Sequence, residues 1–155
     1  MQLDIEVANL TRHKVKKAFI SKVIIEAADL YNRHLKKVSV SVVLIGEKRM
    51  GSLNKRYLGK DKATDVLSFN YNLGYNAKEG GRLKRKRAKG KKTIEGELIL
   101  CPEVIKKSAR ENKIKFNQEL AFVLAHGFLH LAGMKHSKKM YKIQDKVVKS
   151  MINEQ

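Results

Sequence analysis

The sequence predicts a mixed α/β or α+β fold, one domain in which a small β-sheet is packed by helices. Three observations lead there. Apolar periodicity along the chain switches between two and about 3.6 residues in the order β-α-β-α-β-β-α-α-α. The length, 155 residues, suits one domain with a substantial core. No internal repeat and no linker divides it.

The elements follow in order. Residues 2–7 alternate apolar and polar through Leu3, Ile5 and Val7, as a strand does. Thr11 is placed to cap a long helix whose apolar positions include Val15, Ala18, Phe19, Val23, Ala27, Leu30 and Tyr31. His13 and His34, near its ends, have no ligand-type neighbour at metal spacing and read as surface residues. Val38 to Ile45 is a β-branched run, hence a strand, with its first half partly exposed on one side. A short helix is expected over 47–57, with Met50, Leu53 and Tyr57 inward and Gly59 ending it. Val66 to Tyr71 reads as the third strand and Thr93 to Cys101 as the fourth. Pro102 suits the first turn of a helix running to Asn112, with Val104, Ile105 and Ala109 inward. A last helix starts at Ser137, with Met140, Ile143, Val147, Val148 and Met151 at helical spacing.

The helix between these two carries the most chemistry. Asn117 is its expected N-cap, Glu119 suits its dipole, and Leu120, Val123, Leu124, Gly127 and Leu131 face the core. His126 and His130 are four residues apart, so their imidazoles share one face. Gly133 stops the helix and lets the chain bring His136 back toward the pair. Three neutral imidazoles converging on a point make a metal site with an open position, and a zinc ion there can acidify water. The bland alternative, three unrelated surface or core histidines, is weakened by their falling within eleven residues of a chain with five.

Composition restricts the partners. The formal net charge of +19 attracts polyanions, and nucleic acid is the natural candidate. Of the eleven residues from 82 to 92, eight are basic: Arg82, Lys84, Arg85, Lys86, Arg87, Lys89, Lys91 and Lys92. They lie in an insertion, about 72–93, between two strands, and are read as contacting RNA phosphates rather than as a merely solvated charge run. No apolar run reaches the roughly 18 residues that span a bilayer, and no basic amphipathic helix with a large apolar face suggests membrane binding. The acidic, alternating N-terminus is no signal peptide, and a single cysteine fits a reducing cytosol, so a cytoplasmic location is expected. Cys101 ends an apolar strand and reads as packing.

The His126–His130 spacing resembles the zincin helix, but Gly127 stands where its glutamate general base belongs. The whole string, His126-Gly-Phe-Leu-His130-Leu-Ala-Gly-Met-Lys-His136, instead resembles the YbeY-type endoribonucleases, bacterial rRNA maturation factors. A second block, Leu53 to Phe69 with Tyr57, Lys60, Thr64, Asp65 and Ser68, is similar to that family's L-N-x-x-Y-R-x-K-D-x-x-T-D-V-L-S-F. A weaker match is Gly96 to Cys101. The resemblance implies a mixed sheet beside the histidine helix, with a metal cleft formed by that helix and the turn after it. It implies one Zn²⁺ per chain on His126, His130 and His136, and cleavage of single-stranded RNA in 16S rRNA 3′-end maturation and ribosome quality control. The small ribosomal subunit is then an expected partner. It also places Thr64, Asp65 and Ser68 near the metal, facing substrate or supporting its ligands; capping the turn into the third strand is the competing reading for Thr64 and Asp65.

The chain departs from the family pattern at Lys135 for aspartate, Asn70 for proline and Leu58 for arginine. With that arginine missing, Lys60 is the expected catalytic cation. Arg56 is the nearest guanidinium, but it could serve only if the helix ends by Tyr57. Two other functions remain open. A hydrolase of another bond would need a carboxylate such as Asp65 or Glu119 near the metal. A non-catalytic RNA- or ribosome-binding protein would have a fourth protein ligand closing a structural metal site.

Overall fold

The computed structural model describes residues 1–71 and 92–153. The element order is the expected one: β1 (Gln2–Asn9), α1 (Lys17–Tyr31), β2 (Lys37–Leu44), α2 (Glu47–Leu58), β3 (Val66–Asn70), β4 (Thr93–Leu100), α3 (Pro102–Glu111), α4 (Phe116–Leu131) and α5 (Lys138–Asn153). The sheet is mixed, in the order β1-β2-β4-β3. β1 runs parallel to β2 and β2 parallel to β4, whereas β3 pairs antiparallel with β4, Val66 opposite Leu100.

One face of the sheet carries Val38, Val40, Val42 and Leu44 of β2 with Ile94, Leu98 and Leu100 of β4, and it is covered by the helices. α4 is the hub: it packs against α1, α3, α5, β3 and β4. Its Leu120, Leu124, Phe128 and Leu131 are buried, each contributing about 1.5–3 kcal/mol of apolar transfer. A smaller cluster on the other face joins Ile45, Met50, Leu67 and Cys101, so Cys101 is core packing.

Two helix starts differ from expectation, each for a local reason. Thr11 does not cap α1, which begins after Lys16. Asn9 Oδ1 accepts from the Thr11 hydroxyl at 2.7 Å, and Thr11 Oγ1 accepts from the His13 N–H at 3.2 Å. The hydroxyl is thus spent in a turn that competes with helix. α1 buries Ile20, Val23, Ile24, Ala27 and Ala28, with Val15, Phe19, Leu30 and Tyr31 packed against the same core, and of the expected positions only Ala18 is exposed. α4 begins one residue before Asn117; Gln118 Oε1 accepts from the Lys115 N–H at 3.1 Å and closes that end. At α5 the expectation holds, since Ser137 Oγ accepts the Met140 N–H at 3.2 Å.

Candidate metal centre and cleft

Helical geometry brings His126 and His130 together, and the glycine stop supplies the third histidine. Gly133 adopts φ 92°, a left-handed conformation that reverses the chain after α4. His136 returns with its ring centroid 5.1 Å from that of His126 and 4.7 Å from that of His130. One ligand nitrogen from each of the three lies within 4.8 Å of the others. The Nε2 atoms of His126 and His130 are 3.0 Å apart. Two imidazole nitrogens on a tetrahedral zinc with bonds of about 2.0–2.1 Å would stand about 3.3 Å apart, so this donor set fits the ion.

The same turn sets a tautomer. The Met134 carbonyl lies 3.1 Å from His130 Nδ1, and because a carbonyl only accepts, Nδ1 carries the proton and Nε2 keeps its lone pair. Burial lowers the pKa of both α4 histidines; His130 and His136 lower that of His126 further, and His136 lowers that of His130 against the raising effect of the Met134 hydrogen bond. Burial and the neighbouring rings favour the neutral, ligating form. For His126 the Asp65 carboxylate acts in the opposite direction.

Gly127 has a packing reason. A Cβ there would lie 3.0 Å from Val66 Cγ2 and 3.1 Å from Leu98 Cδ2. This position faces the sheet, so a glutamate here would enter the core rather than approach the histidines. Ser68 Oγ donates to the Gly127 carbonyl at 3.1 Å and pins β3 to the helix at that point.

Beside the histidines opens a cleft of about 480 Å³. Its walls are Tyr57 and Leu58 at the end of α2, Thr64 and Asp65 on the following loop, Val66 to Phe69 on β3, and Phe122, Val123, His126 and His130 on α4. Thr64, Asp65 and Ser68 are therefore brought to the histidine pair. Asp65 also caps β3, with Oδ1 accepting the Val66 N–H at 2.7 Å. Lys60 and Arg56 are exposed and are not among the wall residues. α2 continues through Leu58 to Gly59 at φ 71°, so the condition under which Arg56 could enter the cleft is not met. Its guanidinium instead lies 5.7 Å over the Tyr57 ring. Among the described wall residues there is no lysine or arginine, and Leu58 is 53% exposed at the rim. Arg82 to Lys91 lie outside the described residues; Lys92 is exposed, and its carbonyl accepts from Lys36 N–H at 2.6 Å.

Sequence reasoning missed Phe122 and Gln144. Phe122 sits four residues before His126, so the helical period that paired the histidines could have placed it in the cleft. Gln144 is fully buried on α5, with Nε2 3.2 Å from His126 Nδ1. Its signal was one uncharged polar residue within the apolar stripe of Met140, Ile143 and Val147.

Comparison with known proteins agrees with the geometry. The family profile for Endoribonuclease YbeY matches residues 5–152. An endoribonuclease YbeY of Thermodesulfovibrio yellowstonii is 31% identical, with 97% of this chain and 99% of the relative covered. That of Bdellovibrio bacteriovorus is 29% identical over 92% of this chain and 91% of its own. A Thermotoga maritima protein solved in solution shares the fold, with a TM-score of 0.59 and 28% identity over 99% of this chain and 91% of that one. The chain belongs to the Endoribonuclease YbeY family.

Proposed function

We propose that the protein is a zinc-dependent endoribonuclease that cleaves single-stranded RNA, acting in 16S rRNA 3′-end maturation and ribosome quality control on the small ribosomal subunit in the cytoplasm. The observation that carries this reading is the group of His126, His130 and His136 nitrogens, within 4.8 Å of one another at the edge of a 480 Å³ cleft, in a chain of net charge +19. Family membership supports the endoribonuclease role and the RNA substrate.

A bound zinc ion would supply Lewis acidity toward the phosphodiester and acidify a water. The chain's own residues do the rest. His130 presents a neutral Nε2 lone pair fixed by the Met134 carbonyl, and His126 would present its own Nε2 once the proton of that ring sits on Nδ1. Phe122, Tyr57 and Leu58 give the cleft an apolar wall from which water is readily displaced. Lys60, on the loop leaving α2, and the basic side chains among residues 82–92 add cationic charge that attracts the RNA backbone and offsets its phosphates.

The test joins metal analysis to cleavage. Purified protein should carry about one zinc per chain and cut a plain single-stranded RNA; His126→Ala and His130→Ala should lose several kcal/mol of metal affinity together with the cut, while His13→Ala keeps both. Full metal content in His130→Ala would remove the proposed site. A hydrolase of another bond is favoured by one observation, the Asp65 carboxylate in the cleft wall. Cleavage of an amide substrate, and not of RNA, that is lost in Asp65→Asn would establish it. Among the described residues the histidine group has no fourth protein ligand, as an open rather than a structural site requires.

A further inference from the structure

Gln144 is fully buried, yet its Oε1 has no hydrogen-bond partner. Its Nε2 stands 3.2 Å from His126 Nδ1 and 3.5 Å from the Phe122 carbonyl. An amide N–H donating to Nδ1 leaves that ring's proton on Nε2. The Nε2–H can then donate to His130 Nε2, 3.0 Å away. His130 Nε2 is free to accept, because Nδ1 of that ring holds its proton against the Met134 carbonyl. The donors thus run in one direction, from Gln144 through His126 and His130 to Met134.

A metal on His126 Nε2 is incompatible with that order. The ligating nitrogen must give its lone pair, so the ring's one proton belongs on Nδ1, where it would oppose the amide N–H of Gln144. A half-turn of the carboxamide replaces this donor with Oε1, since its two ends are nearly the same in shape, and gives up the long 3.5 Å contact of Nε2 with the Phe122 carbonyl. We propose that Gln144 is the positioning residue for His126: with its amide turned, Oε1 accepts the Nδ1–H and holds His126 Nε2 toward the metal. The inference rests on the zinc reading of the three histidines and adds to it a residue from α5.

The experiment measures zinc affinity of the full-length protein by competition with a chromophoric chelator, alongside thermal unfolding of the metal-stripped forms. Gln144→Met keeps the volume and removes the acceptor, and should weaken zinc binding roughly 10–100-fold without lowering the unfolding temperature of the stripped protein. Gln144→Glu restores an acceptor and should bind zinc at least as tightly as the native protein. Unchanged affinity in Gln144→Met, or Gln144→Glu as weak as Gln144→Met, overturns the role. Should the methionine variant not fold, the native zinc-loaded protein decides by nitrogen-detected NMR. There the His126 Nδ1 proton should exchange slowly, and rapid exchange with solvent overturns the proposal. His130→Ala in the same assay separates the two levels. If it binds zinc like the native protein, the metal site itself falls; if it loses zinc while Gln144→Met does not, only the role of Gln144 falls.

Discussion

The side-chain amide of Asn70, the last residue of β3, donates to the main-chain carbonyl of Leu131, the last residue of the histidine helix. Asn70 is buried at 3% exposure, and the carbonyl it meets belongs to the set that a helix end leaves without an intrahelical partner. The contact ties the strand that lines the cleft to the point where the chain turns toward His136. Asn70→Ala should therefore cost about 1–3 kcal/mol, the range for a buried polar group left unsatisfied. Chemical denaturation would show it as a lower midpoint at unchanged slope. A midpoint equal to that of the native protein would mean that water satisfies the carbonyl instead.

Glu119 gives a stability change with a definite pH sign. It is 7% exposed, and burial raises its pKa above 4.5, with the Asp65 charge adding to this and the Ser108 hydroxyl opposing it. A carboxyl whose folded pKa is raised contributes its stability below the unfolded pKa, and that contribution is lost as pH rises through the folded value. Glu119→Gln, which can keep the contact to Ser108 Oγ at 3.3 Å, should therefore raise the unfolding temperature at pH 7. The gain should fade as pH falls through the raised folded pKa and vanish below about 4.5, the unfolded value. A gain that persists undiminished at low pH would point to packing rather than charge.

Leu58 occupies the cleft rim where the family pattern has arginine. A guanidinium there can hold two phosphate oxygens by parallel hydrogen bonds, which a lysine does not reproduce. Leu58→Arg should speed RNA cleavage, up to the roughly 2.7–4 kcal/mol that one transition-state donor supplies. Arg56→Ala should change the rate little, because Arg56 is exposed over Tyr57 outside the cleft walls. The reverse pattern, no gain at 58 and abolition at 56, would make Arg56 the working arginine.

The basic insertion is tested by salt. Deleting Arg82 to Lys91 removes seven cations and spares Lys92, whose carbonyl receives the Lys36 and Lys37 N–H groups beside β2. Each lost phosphate contact on a single strand should flatten the slope of log affinity against log salt by about 0.7. The deletion should thus cost several units of slope at unchanged zinc content. A slope equal to that of the intact protein would return the segment to a solvated charge run.

Several features were legible in the sequence because they depend on neighbours along the chain. The His126–His130 pairing follows from four residues of helix, the Gly133 stop from the freedom of glycine at positive φ, and the strands from their period of two. The charge that points to RNA is likewise a property of composition. Other features needed the folded core. The parallel pairing of β1 with β2 and of β2 with β4 joins strands separated along the chain by α1 and by α2 with β3, a pairing that no local period specifies. Gly127 faces Val66 and Leu98, Asn70 reaches Leu131, and Gln144 meets His126, across separations from 18 to 61 residues in the hydrogen-bonded pairs. Thr11 does not cap α1 because its hydroxyl is held in the turn with Asn9 and His13, and no periodicity shows which of two local hydrogen bonds prevails. Spacing can say which side chains share a helix face; which groups oppose that face depends on burying α4 against both the sheet and α5, a result of the whole core.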